Sequence, residues 1–499
     1  MHTTLDFTRS VGSPTSLTQY PSLIVLWSAA EPWRIGEMVE LPNAHRAHPA
    51  VLGRGDQGGA RRVRFIHQRP ALNVVQPALE DEYISRVQLN IAARGRTGFV
   101  VENVGRCPML INGQRTNQGE LRVGDVLTLR RRLMLLCVSR PRVLPALRDW
   151  TLDLHPFGQP DVFGLVGESP ATWALREQLA LVAPRNRHVL LLGESGTGKE
   201  LAAQIIHGLS QRNGPLISRN AATLPEGLID AELFGNIQDY PNSGMPARPG
   251  LIGSASGGSL MLDEIGELPT ALQAHLLRVL DDGEYQPLGA SRSKKADIRL
   301  IAATNRAGSA LKPDLLARLT LSLQTPPLRE RREDIPLLIR HLFERIRRED
   351  PDIGQRFYDP ELGAVRISPG LIFALVRQPL PLNVRQLDQH LWEAILAAPG
   401  DRLRLVSALK ASLKAPEVEA ARAPAEISAD QVQEALKATG GVLAETWKVL
   451  GLKNRYVLRR LMRKYREQGV QFERGSASPG PGLQSDSTVL QDAPGEREG

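Results

Sequence analysis

Hydrophobic and polar positions fall into three regimes along the 499 residues. In the first, short apolar runs recur at 23–27, 35–41, 50–53, 98–102, 109–111, 125–129 and 133–138, separated by turn-forming residues. Regular short runs of this kind predict the strands of a β-sandwich. In the second, apolar runs at 189–192, 259–262 and 298–303 each end in polar residues: Gly193, the pair Asp263-Glu264, and the pair Thr304-Asn305. Such strand ends are where open α/β sheets place their sites. In the third, residues 427–474 divide into three short helical patterns, at about 430–438, 443–450 and 453–465. The last sets Val457, Leu461 and Tyr465 on one face at i, i+4, i+8. From Gly475 onward no core-forming pattern remains, which predicts a disordered tail over 471–499.

The first polar strand end carries the sharpest chemistry. Gly193-Glu194-Ser195-Gly196-Thr197-Gly198-Lys199-Glu200 follows an apolar strand and precedes a helix-like segment. The glycines let backbone N–H groups converge on phosphate oxygens, the helix N-terminus adds positive charge, and Lys199 reaches the β- and γ-phosphates. Glu200 stands where the strict pattern has a Ser or Thr to meet Mg²⁺. A glycine turn of no function is the alternative, and the downstream strand ends argue against it. Asp263 suits a Mg²⁺ shell, and Glu264 suits orienting or deprotonating a water. Together these define an NTPase core that takes a nucleoside triphosphate with Mg²⁺.

The words in this window carry a resemblance. LVGESP at 165–170, GESGTGKE at 193–200, Asn220-Ala-Ala, ELFG at 232–235, LDEIGELP at 262–269, LLRVLDDGEYQPLG at 276–289, IAATNR at 301–306 and PPLRERREDIPLL at 326–338 resemble the AAA+ module of bacterial sigma-54-dependent transcription activators. Glu200 after the lysine is usual in that family. The resemblance implies a switch role for Asn220, restraining Glu264. It places Thr304 and Asn305 in the sensor I region and makes Arg318 an arginine finger for a neighbouring subunit. Lys312 stands at the second finger position, and Arg385 matches the sensor II arginine of a helical lid. It also implies assembly into a hexamer or other ring, and work on RNA polymerase holoenzyme. The chain departs from the family at two places. The lid word WPGNVREL reads LPLNVRQL at 380–387, and the sigma-54-gripping GAFTGA loop is absent from 236–246, which read NIQDYPNSGMP.

Composition refines the picture without redirecting it. No apolar run approaches a membrane span of about 18 residues and no signal-peptide pattern opens the chain, so a cytoplasmic protein with no membrane partner is expected. Cys107 and Cys137 form no metal pattern. The formal charge of +8 is modest, but 427–474 carry ten Lys/Arg against five Asp/Glu. A short turn followed by a basic amphipathic helix suits entry into a DNA major groove; a solvated or partner-binding helix is the alternative. The order EALKATGG…LAETWKVLGLKNRYVLRRLMRKY resembles a Fis-type helix-turn-helix, with Lys453, Asn454, Arg455, Arg459, Arg460 and Arg463 as candidate contacts to double-stranded DNA.

In the first regime, Gly53-Arg54, Ser85-Arg86, Asn112-Gly113 and Val123-Gly-Asp125 resemble an FHA (forkhead-associated) domain. That implies a phosphothreonine protein as partner, held by Arg54, Ser85 and Arg86. Gln88 stands at the family's histidine position, and a sandwich that only docks on the ATPase is the alternative. The expected organisation is an FHA-like β-sandwich at 22–140, a linker at 141–163, an α/β AAA+ P-loop NTPase core at 164–328 and its helical lid at 329–397. A linker at 398–427 and an α-helical helix-turn-helix at 428–470 follow. Two functions fit this order. One is an ATP-driven transcription regulator of the sigma-54 activator kind; the other is a DNA-binding regulator working without sigma-54, its AAA+ domain a nucleotide-sensitive oligomerisation scaffold.

Overall fold

The computed structural model describes residues 5–6, 18–41, 48–56, 61–149, 155–225, 227–305, 311–407, 429–439, 446–447, 450, 458, 461–462 and 465. Two compact units emerge, 1–413 and 414–499.

The first unit opens with β1 (Leu5–Asp6) and then β2 (Gln19–Ser28), β3 (Met38–Glu40), β4 (Ala50–Leu52), β5 (Arg64–Arg69), β6 (Leu72–Gln76) and β7 (Leu89–Arg94). They continue through β8 (Gly98–Asn103), β9 (Met109–Ile111), β10 (Gln114–Arg115), β11 (Gln118–Arg122), β12 (Val126–Leu129) and β13 (Leu133–Pro141). Twelve of these strands make two antiparallel sheets, ordered β10-β9-β12-β13-β2-β3-β5-β6 and β11-β8-β7-β4. Their facing sides share one core, from Leu23 and Val25 on β2 to Leu89 and Ile91 on β7 and Phe99 and Val101 on β8.

Both faces of the larger sheet are covered at its centre. On β2, Leu23 and Val25 face the inner core, whereas Ile24 and Leu26 belong to a second cluster. On β13, Leu133, Leu135 and Cys137 point inward while Met134, Leu136 and Val138 point outward. Successive strand side chains alternate between faces, so a continuous apolar run fits only a sheet packed on both sides. The outward residues share their core with a helical layer: α7 (Ile335–Glu349), α8 (Pro351–Phe357), α9 (Pro369–Arg377) and α10 (Asn383–Leu396), as numbered below.

In the sequence between sandwich and helical layer comes a parallel sheet with its helices. In chain order it comprises α1 (Pro170–Val182), β14 (Val189–Leu192), α2 (Lys199–Gly208), β15 (Leu216–Asn220), α3 (Ile229–Phe234), α4 (Gly250–Ser254), β16 (Ser259–Asp263) and α5 (Thr270–Asp282), with a small hairpin of β17 (Glu284–Tyr285) and β18 (Lys294–Lys295), then β19 (Arg299–Thr304), α6 (Pro313–Arg318) and β20 (Leu321–Gln324). Strand order is β1-β20-β14-β19-β16-β15, every pair parallel. Helices α7 to α10 complete the first unit.

The segment 141–163 is packed rather than loosely strung over its described part. Gln68 donates to the carbonyls of Pro141 and Arg142, and the Phe157 ring stacks on His67 at 3.8 Å. Arg69 of the sandwich meets Glu168 at 3.4 Å, and Arg140 donates to the Glu168 carbonyl. Asp334, wholly buried, accepts from the Glu168 and Ser169 backbone N–H groups at 2.8 and 2.9 Å and from the Ser169 and Thr172 hydroxyls. It thus satisfies the otherwise orphaned start of α1.

In the second unit, α11 (Ala429–Ala438) packs Val432, Ala435 and Leu436 with Leu450, Leu458, Leu461 and Met462. Trp447 and Tyr465 close the edge, and the Thr439 and Thr446 hydroxyls bond at 2.7 Å. The third helical pattern therefore buries Leu458, Leu461 and Met462, while Val457 lies outside the described residues.

Candidate nucleotide site and its lid

The glycine loop leaves β14 through Gly193 and enters α2 through Gly198, whose φ of 100° is left-handed. No side chain other than glycine adopts that turn without strain. Gly196 is constrained differently: a Cβ there would collide with the Leu382 carbonyl. Lys199 is 6% exposed, and among the described residues its ammonium donates only to the Gly193 and Glu194 carbonyls, at 3.0 and 3.3 Å. A buried cation with no carboxylate beside it is costly unless an anion completes it. The loop therefore fits a phosphate chain.

The lid closes directly over this loop. Asn383 donates to the Ser195 carbonyl at 3.0 Å and to the Glu194 carboxylate at 3.2 Å, and the Val384 N–H donates to the Gly196 carbonyl. Arg385 reaches the Ser195 hydroxyl at 2.9 Å. Arg329 pairs with Glu194 at 2.6 Å. Burial pushes the Glu194 carboxyl up, but the bonds from Arg329 and Asn383 outweigh it, so its pKa falls below the usual carboxylate value. Arg331, buried, donates to the Thr197 carbonyl from the opposite side. Sequence reasoning missed Arg329, Arg331 and Asn383; all lie in words already matched, PPLRERRED and LNVRQL, whose spacing gave no hint that they reach the loop.

At the neighbouring strand ends, Asp263 accepts from the Glu264 N–H at 3.0 Å, and Glu264 sits at a left-handed φ of 50°. Its carboxylate accepts from the Asn305 N–H at 3.3 Å. Asn220 pairs with Asp263 in register, but its side chain accepts from the Ala222 N–H at 2.9 Å and caps a turn. No hydrogen bond joins it to Glu264 among the described residues; here Glu264 is held by Asn305. Arg318 lies at the end of α6, half exposed, and pairs with Asp281 on α5 at 2.5 Å. Lys312 caps the start of α6, its N–H on Gln273.

The segment replacing GAFTGA is an ordered loop. Asn236 exchanges backbone bonds with Arg248, and its side-chain amide donates to the carbonyls of Ile237, Tyr240 and Pro246. Ile237 is tied to Leu288 next to the β17–β18 hairpin. Ile237, Tyr240 and Met245 stand exposed on it.

In the sandwich, Gly53 presses against the carbonyls of Ser85 and Arg86, and the Arg54 N–H donates to Ser85. Arg54, Ser85 and Arg86 are thus neighbours, and neither arginine has an ionic partner among the described residues. Arg62, unforeseen from the sequence, donates to the carbonyls of Arg54, Gly55 and Arg86 and fixes the loop pair. Gln88 is wholly buried; it accepts from the N–H groups of Ser85 and Cys107 and donates to Asn103 and the Cys107 carbonyl. The DNA candidates Lys453, Asn454, Arg455, Arg459, Arg460 and Arg463 all lie outside the described residues.

Comparison with known proteins agrees with this geometry. Residues 165–322 match the family described as Sigma-54 interaction domain, and 329–426 match the AAA+ ATPase lid domain. The transcriptional regulatory protein ZraR of Escherichia coli K12 is 35% identical over 314 residues, covering 60% of this chain and 69% of that protein. The Nif-specific regulatory protein of Rhizobium etli is 41% identical over 233 residues, 45% of this chain and 38% of that one. NtrX from Brucella abortus, solved in complex with ATP, aligns at 30% identity over 63% of this chain and 70% of that one with a TM-score of 0.44. The parallel sheet, glycine loop and docked lid define an AAA+ P-loop ATPase domain that binds ATP. The chain belongs to the sigma-54-type transcription regulators, the bacterial enhancer-binding proteins. No helix among the described residues is long and apolar enough to cross a membrane.

Proposed function

We propose that the chain is an ATP-driven, DNA-binding transcription regulator in which nucleotide sets the lid and thereby ring assembly. The observation carrying this reading is the buried Lys199, with no counter-ion among the described residues, beneath a lid whose Asn383 and Arg385 touch the same loop. When bound, ATP with Mg²⁺ supplies the phosphoanhydride and the charge that holds it. Lys199 and the loop N–H groups bind phosphates, Asp263 would hold the Mg²⁺, and Glu264, held by Asn305, is the base for the attacking water. Arg385 reports the phosphate state to the lid, and Arg318 exchanges Asp281 for the nucleotide of a neighbouring subunit. Asn220 acts as a switch by leaving its turn for Glu264.

Lys199→Ala should abolish ATP binding at the glycine loop, seen as loss of the tighter phase in calorimetric titration, and Glu264→Gln should retain that binding but stop phosphate release. Unchanged affinity in the lysine variant would sink the assignment. For the output, the ordered loop at 236–248, without GAFTGA, favours the second reading: regulation through DNA binding without sigma-54. Transcription in vitro with sigma-54 and with housekeeping holoenzyme, with and without hydrolysable ATP, separates the two. For control, Arg54, Ser85 and Arg86 make a small cationic rim suited to phosphothreonine, whose near-double charge and three oxygens engage several donors at once. A phosphothreonine peptide library should bind the full chain and fail to bind Arg54→Ala. Deleting 428–466 should remove salt-sensitive DNA binding.

A further inference from the structure

A cleft of about 1060 Å³ opens where the sandwich meets the lid, away from the glycine loop. Its floor is apolar and comes from both sides: Trp27, Ala29 and Ile35 from the sandwich, Ile339, Ile372 and Leu405 from the helical layer. Its charge is one-sided. Six arginines line it, Arg131, Arg132, Arg340, Arg366, Arg402 and Arg404, against the single carboxylate of Asp359.

Three of the six are already engaged. Arg132 grips Asp81 through three hydrogen bonds at 2.8 to 3.0 Å. Arg366 lies between Asp359 at 3.6 Å and Asp401 at 3.4 Å, and Arg340 donates to the Gly158 carbonyl. Arg131, Arg402 and Arg404 have no acceptor among the described residues. Their placement is dictated by the backbone. Leu403 is wholly buried and pairs with Ile367, its N–H on the Arg366 carbonyl and its own carbonyl accepting from Ser368. Arg402 and Arg404 flank this bridge and both line the cleft, whereas the buried Leu403 between them does not. Arg131 arrives from the turn between β12 and β13 at a φ of 58°. Ser368, Pro369 and Gly370 add the N-terminus of α9, whose partial positive charge points at the same space.

At the rim stands Trp33, 57% exposed. An exposed tryptophan beside unpaired guanidinium groups is a platform for a flat ring joined to an anion. The volume suits a small molecule rather than a protein segment, and domain junctions are favoured places for such sites.

We propose that this cleft is a second ligand site, distinct from the glycine loop, that takes a nucleoside polyphosphate: phosphates on Arg131, Arg402 and Arg404, ring on Trp33. Because sandwich and lid each supply one wall, occupancy ties the two together and biases the lid that covers the glycine loop. The site makes no use of Lys199, so it stands or falls apart from the ATPase reading.

The test is calorimetric titration of the full-length Lys199→Ala protein with ATP and, separately, with inorganic tripolyphosphate. Loss of the tighter binding phase relative to wild type reports on the glycine loop alone. A weaker saturable site for ATP should remain, should weaken at least tenfold when Arg402→Ala and Arg404→Ala are added, and should weaken several-fold with Trp33→Ala at unchanged melting temperature. Tripolyphosphate should bind more weakly than ATP and be indifferent to Trp33→Ala. Absence of saturable ATP binding in Lys199→Ala, or remaining binding that ignores the arginine pair, overturns the site. Equal binding of tripolyphosphate and ATP overturns the ring platform.

Discussion

Leu135 and Leu136 are adjacent on β13, nearly equally buried, and face opposite cores: Leu135 the interior of the sandwich, Leu136 the cluster shared with the lid. Truncating either to alanine removes the same atoms and should cost about 2–5 kcal/mol, depending on how far the cavity collapses. Both variants should therefore melt at lower temperature, by roughly 2–4 °C per kcal/mol for a folding unit of 150–250 residues and somewhat less for this larger one. Their nucleotide responses should differ. Only Leu136→Ala loosens the helical layer that carries Asn383 and Arg385 onto the glycine loop. ATP at 100 times its dissociation constant stabilises by about 2.7 kcal/mol, and a tenfold loss of affinity at the same concentration cuts this to about 1.4 kcal/mol. Thermal melts with and without ATP read that difference directly. Leu135→Ala should keep the full ATP-dependent shift, and Leu136→Ala should lose about half. Equal shifts in the two variants would refute the idea that the sandwich face sets the lid.

Three other outcomes follow from the site. Arg329→Ala frees the Glu194 carboxylate and one lid anchor; because that pair is about half exposed, stability should change by under about 1 kcal/mol, while ATP affinity, measured by titration, should shift more. Mixing Arg318→Ala with Glu264→Gln protein should restore some phosphate release through mixed interfaces, and sedimentation should show ATP-dependent assembly of the wild type. Burial, with Arg176 and Arg69 nearby, holds the His155 imidazole down at about 3, so it stays neutral in the folded chain while the unfolded chain protonates near 6.5. Its stabilising contribution is present above 6.5 and lost as pH falls, by about 1.4 kcal/mol between about pH 7.5 and pH 5.5. Glu333, raised by burial to about 7 against the pull of Arg140, works oppositely, gaining stability as pH falls from 7 towards 4.5. In a Glu333→Gln background, urea melts should show a downward slope with falling pH, and His155→Phe should reduce it, the remainder coming from His188, His207 and His341, which burial also holds down.

The glycine loop, Asp263-Glu264 and three of the six parallel strands, β14, β16 and β19, were legible because each joins an apolar run to a polar end whose chemistry is local. The first helical pattern of the second unit was legible for the same reason. In the sandwich β5, β6, β7, β10 and β11 went unread, and in the parallel sheet β1, β15 and β20; Arg64–Arg69 and Gln118–Arg122, for example, mix charged and apolar residues too thoroughly for a run to stand out. The lock on Asp334 was hidden for a different reason: its partners lie more than 160 residues away, and no periodicity links them. Asn220 shows the limit of a matched word. The residue is where the family pattern puts it, yet its side-chain carbonyl takes the nearby Ala222 N–H and caps the following turn.

The outward face of β2 and β13 bears on how such a chain arises. A sandwich that buries Ile24, Leu26, Met134, Leu136 and Val138 against α7 and α9 cannot be an interchangeable cassette joined to an existing ATPase. Moved to another protein, it would carry a bare apolar stripe, and the ATPase left behind would carry the complement. The two must have changed together, each substitution on one face answered on the other. Relatives sharing this particular sandwich should therefore also share the lid residues beneath it, even where their DNA-binding ends differ.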